Sequence, residues 1–225
     1  MILAAGRGER MRPLTDTIPK PLLPVDGKAL IVYHLEALRK AGFFDVIINL
    51  GYRGEQIRDA LKSGQDWGMR IVYSREPETA LDTGGGILKA LPLLGEQAFL
   101  VVNSDVWTDY PLMQLRDITL QMAHLVLVDN PPQHSQGDFH LSNGRIFNEH
   151  VCNQHATSRL TFSGISVLHP SLFKNCSAGR FSVTPLLRQA AAVGAVSGEY
   201  YGGIWQDIGT PQRLAQLQTK RYQHT

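Results

Sequence analysis

ILAAGRGERMRPLTDTIPKPLLPV, residues 2–25, is the stretch on which the reading of this chain turns. Ile2 to Ala5 are apolar and of the right length for a short buried strand. Gly6 and Gly8 follow, where a backbone without Cβ atoms can turn tightly and approach a ligand. Arg7, Arg10, Arg12 and Lys20 then crowd positive charge around that turn. A strand running into glycines and cations predicts an anion-binding loop. It is not the P-loop, because GxxxxGK followed by Ser or Thr is absent near the first strand. Nor is it the dinucleotide fingerprint, which needs a third glycine opening a helix, whereas here the chain continues into Pro13. What fits is a longer cradle, in which backbone N–H groups from Ala5 to Gly8 and the side chains of Arg10 and Lys20 surround a triphosphate. The alternative is an ordinary solvated turn, the commonest use of glycine.

Outward from this loop, apolar runs of strand length alternate with amphipathic stretches, the pattern of a parallel sheet with crossover helices. After Gly27, Ile31, Leu35 and Leu38 fall on one face of a helix that ends near Gly42. VIINL (Val46 to Leu50), MRIVY (Met69 to Tyr73) and FLVVN (Phe99 to Asn103) read as strands, the last apolar enough for the sheet centre. Helices are expected at Glu55 to Lys62 and at Gly86 to Leu91, the latter stopped by Pro92. Beyond residue 122 the texture becomes β-rich and partly antiparallel. Strands are expected at Ala123 to Asp129, Leu160 to His169 and VSGEYY, and helices at Pro185 to Ala192 and Pro211 to Tyr222. No linker, repeat or low-complexity tract divides the chain, so residues 1–225 are read as one domain.

Composition narrows the class. The net charge of +2 is too small for a nucleic-acid stripe, and no charge block of five or more occurs. Cys152 and Cys176 are the only cysteines, which is no disulfide framework and suits a reducing compartment. Neither a signal-peptide pattern nor an 18-residue apolar run is present. A cytoplasmic protein without nucleic-acid or membrane partners is therefore expected, as a monomer or small homo-oligomer.

The whole opening string, LAAGRGERMRPLT from Leu3 to Thr15 with PKPL from Pro19 to Leu22, resembles the signature of the sugar-1-phosphate nucleotidylyltransferases. The resemblance continues through NSD (Asn103 to Asp105), FSGISV (Phe162 to Val167) and WQDIGTP (Trp205 to Pro211). It implies a Rossmann-like α/β three-layer sandwich with a mostly parallel, mixed central sheet. It further implies Asp105 and Asp207 as ligands of Mg²⁺, Arg10 and Lys20 as the catalytic cations, and Leu3, Ala5, Gly6, Gly8, Gly84 and Asn103 as nucleotide contacts. Read from the residues alone, both aspartates also suit turns or helix caps.

The chemistry explains the pattern. A sugar-1-phosphate oxygen must attack the α-phosphorus of a nucleoside triphosphate, so two anions have to meet. Mg²⁺ takes one or two carboxylates together with phosphate oxygens and offsets that repulsion. No general base is needed, because a phosphate monoester is already ionised near neutral pH; His150 and His155 are accordingly expected in a surface loop. LDTGGG (Leu81 to Gly86) is a glycine cluster that opens a helix, with a flexible loop as the alternative; the resemblance implies that backbone groups there read the base edge. With VNSDVWTDY, LDTGGG looks most like the branch that transfers UMP from UTP to N-acetylmuramate 1-phosphate in cell-wall recycling. The guanylyl- and thymidylyl-transferring branches, or a module that binds nucleotide sugars without catalysis, remain open at this point. Asn103, Asp138, Glu149 and Gly164 are the candidate sugar contacts, although GDF at Gly137 to Phe139 and His150 after Glu149 depart from the family's usual residues. A lactyl carboxylate would call for a cation, for which Arg145, Arg159 and Arg180 are candidates. The hexapeptide repeats of a β-helix extension are absent, so no second activity is expected.

Overall fold

The computed structural model describes residues 1–149 and 159–222, with side chains as far as 219. Cys152, His150 and His155 lie outside these residues; Cys176 is a free, half-buried thiol. In chain order the elements are β1 (Ile2–Leu3), β2 (Pro24–Val25), β3 (Lys28–Ala29), α1 (Leu30–Lys40), β4 (Asp45–Leu50), α2 (Gly54–Leu61), β5 (Arg70–Arg75) and α3 (Asp82–Leu94). They continue with β6 (Phe99–Asn103), β7 (Val106–Thr108), β8 (Ala123–Val128), β9 (His140–Ser142), β10 (Arg145–Phe147) and β11 (Thr161–Leu168). The last are α4 (Thr184–Ala192), β12 (Val196–Tyr200), β13 (Trp205–Asp207) and α5 (Pro211–Tyr222).

Nine strands form one mixed sheet in the order β5-β4-β1-β6-β11-β8-β12-β10-β9. Strands β1, β4, β5, β6, β8, β9 and β12 run one way, and β10 and β11 run against them. The expected α/β architecture with a mostly parallel central sheet is therefore present, with antiparallel pairing in that sheet made by β10 and β11. Phe99–Asn103 lies near the middle, parallel to β1 on one side and antiparallel to β11 on the other. The apolar face of α1, Ile31, Leu35 and Leu38, packs on one face of this sheet with Ile2, Ile48 and Val102. Residues of α3 and α4, including Ile87, Ala90 and Leu187, cover the other face with Val101 and Leu125. A third cluster, with Met11, Val25 and Leu217, ties the opening loop to α5.

Two expectations are corrected. Strand β1 ends at Leu3 rather than Ala5, because the Ala4 N–H is taken by Asn49 Oδ1 at 2.7 Å and the Ala5 carbonyl by Tyr52 N at 3.2 Å. The glycine cluster is not a loop. Helix α3 begins at Asp82 and carries Pro92 within its last turn, where a missing N–H forfeits one hydrogen bond without stopping the helix.

Packing explains three glycines in a helix. A Cβ on Gly84 would lie 2.4 Å from the Phe181 ring, and one on Gly85 only 2.1 Å from the Gly179 carbonyl oxygen. Alanine would gain up to about 1 kcal/mol of helix propensity at such a position, but overpacking against backbone costs about 1–3 kcal/mol. Gly85→Ala is therefore expected to destabilise the protein, read as a lower urea midpoint at unchanged slope. A midpoint at or above wild type would mean that residues 179–181 yield.

Candidate active site

The carboxyl ends of the parallel strands β1, β4, β5 and β6 converge on a cavity of about 270 Å³. Open α/β sheets place their ligands at this edge. Leu3, Ala4, Ala5, Gly6 and Gly8 line it from the opening loop, Asn49 and Glu76 from the ends of β4 and β5, and Asn103, Ser104 and Asp105 from the end of β6. Ala80, Asp82 and Thr83 close it from the start of α3.

The loop's sequence explains its shape. Gly8 sits at φ +68, a left-handed conformation that costs a residue with a Cβ about 1 kcal/mol or more. Its carbonyl is held by Met11 N and by the Thr15 hydroxyl, both at 2.9 Å. A Cβ there would meet the Lys20 stem at 3.3 Å, so the glycine is also what lets Lys20 pass into the cavity. Lys20 begins a 3₁₀ turn between Pro19 and Leu23, its side chain is almost wholly buried, and Nζ donates to Asp105 Oδ2 at 2.7 Å. Of the loop's arginines, Arg7 pairs with Glu9 at 3.2 Å and Arg12 with Asp16 at 2.8 Å. Arg10 is exposed and has no ion pair among the described residues. Its Nη2 lies 3.3 Å from where a Gly209 Cβ would stand, beside Asp207 and Arg213.

Asp105 and Asp207 are far apart in sequence and adjacent in space. The hairpin-like pairing of β13 on β7 sets Asp207 opposite Val106, and Ile208 N donates to the Asp105 carbonyl at 2.7 Å. Each carboxylate is held by a cation, Asp105 by Lys20 and Asp207 by the Arg213 guanidinium, with Gln133 Nε2 also donating to Asp207 at 2.9 Å. No group of three or more His, Cys, Asp or Glu side chains among the described residues could hold a metal ion by itself. Two carboxylates with cations drawn onto them nevertheless fit a hard divalent ion whose remaining ligands come from substrate phosphates. Behind this pair, His34 on α1 is buried with Nε2 unpartnered, and burial pushes its imidazole down to about 4 against the opposing influence of the Ser104 backbone and Asp105.

Several residues in the site carry no sequence signal. Glu76 accepts from Asn49 Nδ2 and from Leu81 N, both at 2.7 Å, and so ties β4 and β5 to the start of α3. Gly86 makes room for it, since a Cβ there would lie 2.4 Å from Glu76 Oε1. Gly84 does not line the cavity, and its N–H is given to the Phe181 carbonyl at 2.9 Å.

Of the candidate sugar contacts, Asn103 and Gly164 line a second, adjoining cavity together with Phe162, Asp82, Thr83 and Thr184, whereas Asp138 and Glu149 do not line it. Gly164, at φ +81, lies in the register shift of β11 against β8 and presses on Asn103, whose Nδ2 would be 2.6 Å from an added Cβ. The Asp138 carboxylate is occupied by His134 Nε2 at 3.0 Å and Phe162 N at 2.8 Å. Glu149 is exposed at the edge of the described residues.

The family model described as nucleotidyl transferase matches residues 1–224. An N-acetylmuramate alpha-1-phosphate uridylyltransferase of Neisseria meningitidis serogroup B is 47% identical over 224 residues, spanning 97% of this chain and 96% of its own. Its counterpart in Caulobacter vibrioides is 34% identical, with 94% and 92% covered. The structure of apo UDP-glucose pyrophosphorylase superposes with a TM-score of 0.78 at 22% identity, covering 99% of this chain and 98% of that one, a likeness of fold. No helix among the described residues is long and apolar enough to cross a membrane.

Proposed function

This chain belongs to the nucleotidyl transferase family, and from that premise we propose that it transfers UMP from UTP to N-acetylmuramate 1-phosphate, releasing pyrophosphate and forming UDP-N-acetylmuramate. The observation that carries the chemistry is the buried Lys20 ammonium 2.7 Å from Asp105, at the carboxyl ends of the parallel strands with Asp207 on the neighbouring segment. The base and sugar rest on near full-length similarity to the Neisseria relative.

A non-bridging oxygen of the sugar phosphate forms a bond to the α-phosphorus, and the bond from that phosphorus to the bridging oxygen of pyrophosphate breaks. Asp105 and Asp207 are the residues that would hold Mg²⁺. The ion, when bound, supplies positive charge shared between the reacting phosphates. Lys20 moves from its ion pair with Asp105 onto the α-phosphate or the attacking oxygen and stabilises charge there. Arg10, exposed and without an ion pair among the described residues, receives the departing pyrophosphate. Backbone N–H groups from Ala5 to Gly8 orient the triphosphate, and the half of the chain around Asn103, Asp138, Glu149 and Gly164 takes the sugar. Such a reaction belongs to cytoplasmic recycling of cell-wall sugars.

The test is pyrophosphate release with Mg²⁺ from UTP, GTP, dTTP and ATP, each paired with the 1-phosphates of N-acetylmuramate, N-acetylglucosamine, glucose and mannose. One dominant signal is expected, for UTP with N-acetylmuramate 1-phosphate. A maximum at GTP with mannose 1-phosphate would keep the mechanism and replace both substrates. Silence in every pairing, with UTP still binding by calorimetry, would leave a nucleotide-binding module.

A further inference from the structure

N-acetylmuramate differs from N-acetylglucosamine by a lactyl ether that carries a carboxylate. Such a carboxylate calls for a cation beside the sugar. Of the candidate arginines, Arg145 lies on β10 by Gly194, at the far edge of the sheet among Thr119, Gln121 and Ser197. Arg180 is exposed in the segment that packs on α3. Arg145 does not line the sugar cavity, and Arg180, two residues before the cavity-lining Ser182, is exposed and does not line it either.

Arg159 is different. Its Nη2 donates to the Asp138 carbonyl at 3.1 Å, and its Nε is buried without a hydrogen-bond partner. A second guanidinium, that of Arg188, reaches the same carbonyl at 3.4 Å, with its own plane set 5.3 Å over the Phe139 ring. Arg188 stands one turn beyond Thr184 on α4, so it continues the helix face that lines the sugar cavity. Phe162 lines the same cavity while its N–H holds Asp138. The two arginines therefore meet on Asp138, one contact removed from the cavity-lining Phe162.

What they converge on is too little for them. Two fully charged forks share one neutral carbonyl oxygen, and the Asp138 carboxylate is turned to His134 and Phe162 N instead. Neither arginine has a carboxylate partner among the described residues. Guanidinium groups in partly buried places are ordinarily matched by a carboxylate or phosphate, with which they make charge-assisted, often bidentate hydrogen bonds. Two guanidiniums on one carbonyl, with no carboxylate between them among the described residues and one N–H buried without a partner, form an anion site waiting for its anion.

We propose that Arg159 and Arg188 together receive the lactyl carboxylate of the sugar substrate and so select N-acetylmuramate 1-phosphate over N-acetylglucosamine 1-phosphate. This inference rests on the substrate reading above. Arg159 contributes a half-buried fork whose Nε has no partner, and Arg188, steadied on Phe139, the second. The Asp138 carbonyl holds the two a few ångströms apart without neutralising them.

The experiment compares kcat/KM for N-acetylmuramate 1-phosphate with that for its lactyl amide, which keeps the shape and removes the charge, in wild type, Arg159→Gln and Arg188→Gln. N-acetylglucosamine 1-phosphate is added as a third substrate for wild type. In wild type the acid is expected to be favoured over the amide by about 10- to 100-fold, the worth of hydrogen bonds to a charged group. In each variant that ratio is expected to shrink, and in the double variant to approach one, mostly through KM for the acid. Taking a ratio within each variant cancels any loss from altered packing. A ratio that stays at the wild-type value in both single variants overturns the inference while leaving the substrate reading intact. A wild-type enzyme that uses N-acetylglucosamine 1-phosphate as well as the muramate compound overturns the substrate reading and the inference with it.

Discussion

Asp105→Asn is expected to lower kcat by about 10³-fold at saturating substrates and unchanged Mg²⁺. The substitution keeps the side chain's shape and its ability to accept from Lys20, and removes only the negative charge. What is lost is therefore the attraction for a divalent cation, together with the charge that keeps Lys20 poised. A deficit due to the ion is expected to be relieved partly by raised Mg²⁺ or by Mn²⁺, whereas damage to the fold is not. The folded protein should also suffer. The Lys20 side chain is 11% exposed and that of Asp105 31%, so the variant leaves a nearly buried ammonium opposite a neutral amide. Full burial of an unpaired charge costs several kcal/mol; with Asp105 at the cavity mouth, about 1–2 kcal/mol is expected, seen as a lower melting temperature in the absence of nucleotide. A variant retaining more than about a tenth of the wild-type rate would remove Asp105 from the catalytic centre, since one strong electrostatic contact in such a site is worth at least that factor.

Residues close in sequence and regular in period were legible. Ile31, Leu35 and Leu38 announced the buried face of α1, and the apolar runs announced β4, β5, β6, β8 and β11, because period and hydrophobicity act locally. The opening loop was legible for another reason: its glycines, prolines and cations are dense enough for a resemblance over some twenty positions. The network that arranges the cavity was not. Asn49 bridges Ala4 and Glu76, and Glu76 caps the start of α3, yet each of these residues is unremarkable in its own stretch. Gln133 reaches Asp207 from 74 residues earlier in the chain. Such pairings depend on which strands become neighbours, and nothing in a window of ten or fifteen residues encodes that.

The glycine cluster shows the same limit from the other side. Three glycines in a row argue locally for a loop, since each costs a helix about 1 kcal/mol. The helix forms because residues 179–181 and Glu76 press so closely on it that no larger residue fits. The cost of poor propensity is offset at Gly84 and Gly85 by contacts with Phe181 and Gly179, far along the chain, and at Gly86 by Glu76. Asp138 is a related case: a loop acid suggests a hydroxyl acceptor, but its carboxylate is already engaged by His134 and Phe162 N, and its carbonyl faces the arginines.

Lys20→Met should separate charge from packing at the other end of the same ion pair. Methionine fills most of the space along Gly8 and Thr15 that the lysine stem occupies, so the loop is expected to keep its form. The carboxylate left behind, on Asp105, is the more exposed partner and is rehydrated from the cavity. The stability loss should therefore be smaller than for Asp105→Asn, about 1 kcal/mol or less. Activity follows a different order. Lys20 is the one buried ammonium that reaches the cavity among the described residues, and a fixed positive charge counts most where charge concentrates as the two phosphates meet. A fall in kcat of about 10²- to 10³-fold is expected, with a smaller rise in KM for UTP, because the backbone N–H groups of Ala5 to Gly8 and Arg10 still hold the triphosphate. Stopped at equal UTP occupancy, the variant should bind nucleotide and turn it over slowly. If kcat stayed near wild type and only KM rose, Lys20 would be a binding residue that stabilises the ground and transition states alike. If stability fell further than in Asp105→Asn, the ion pair's main work would be to hold the opening loop on the sheet.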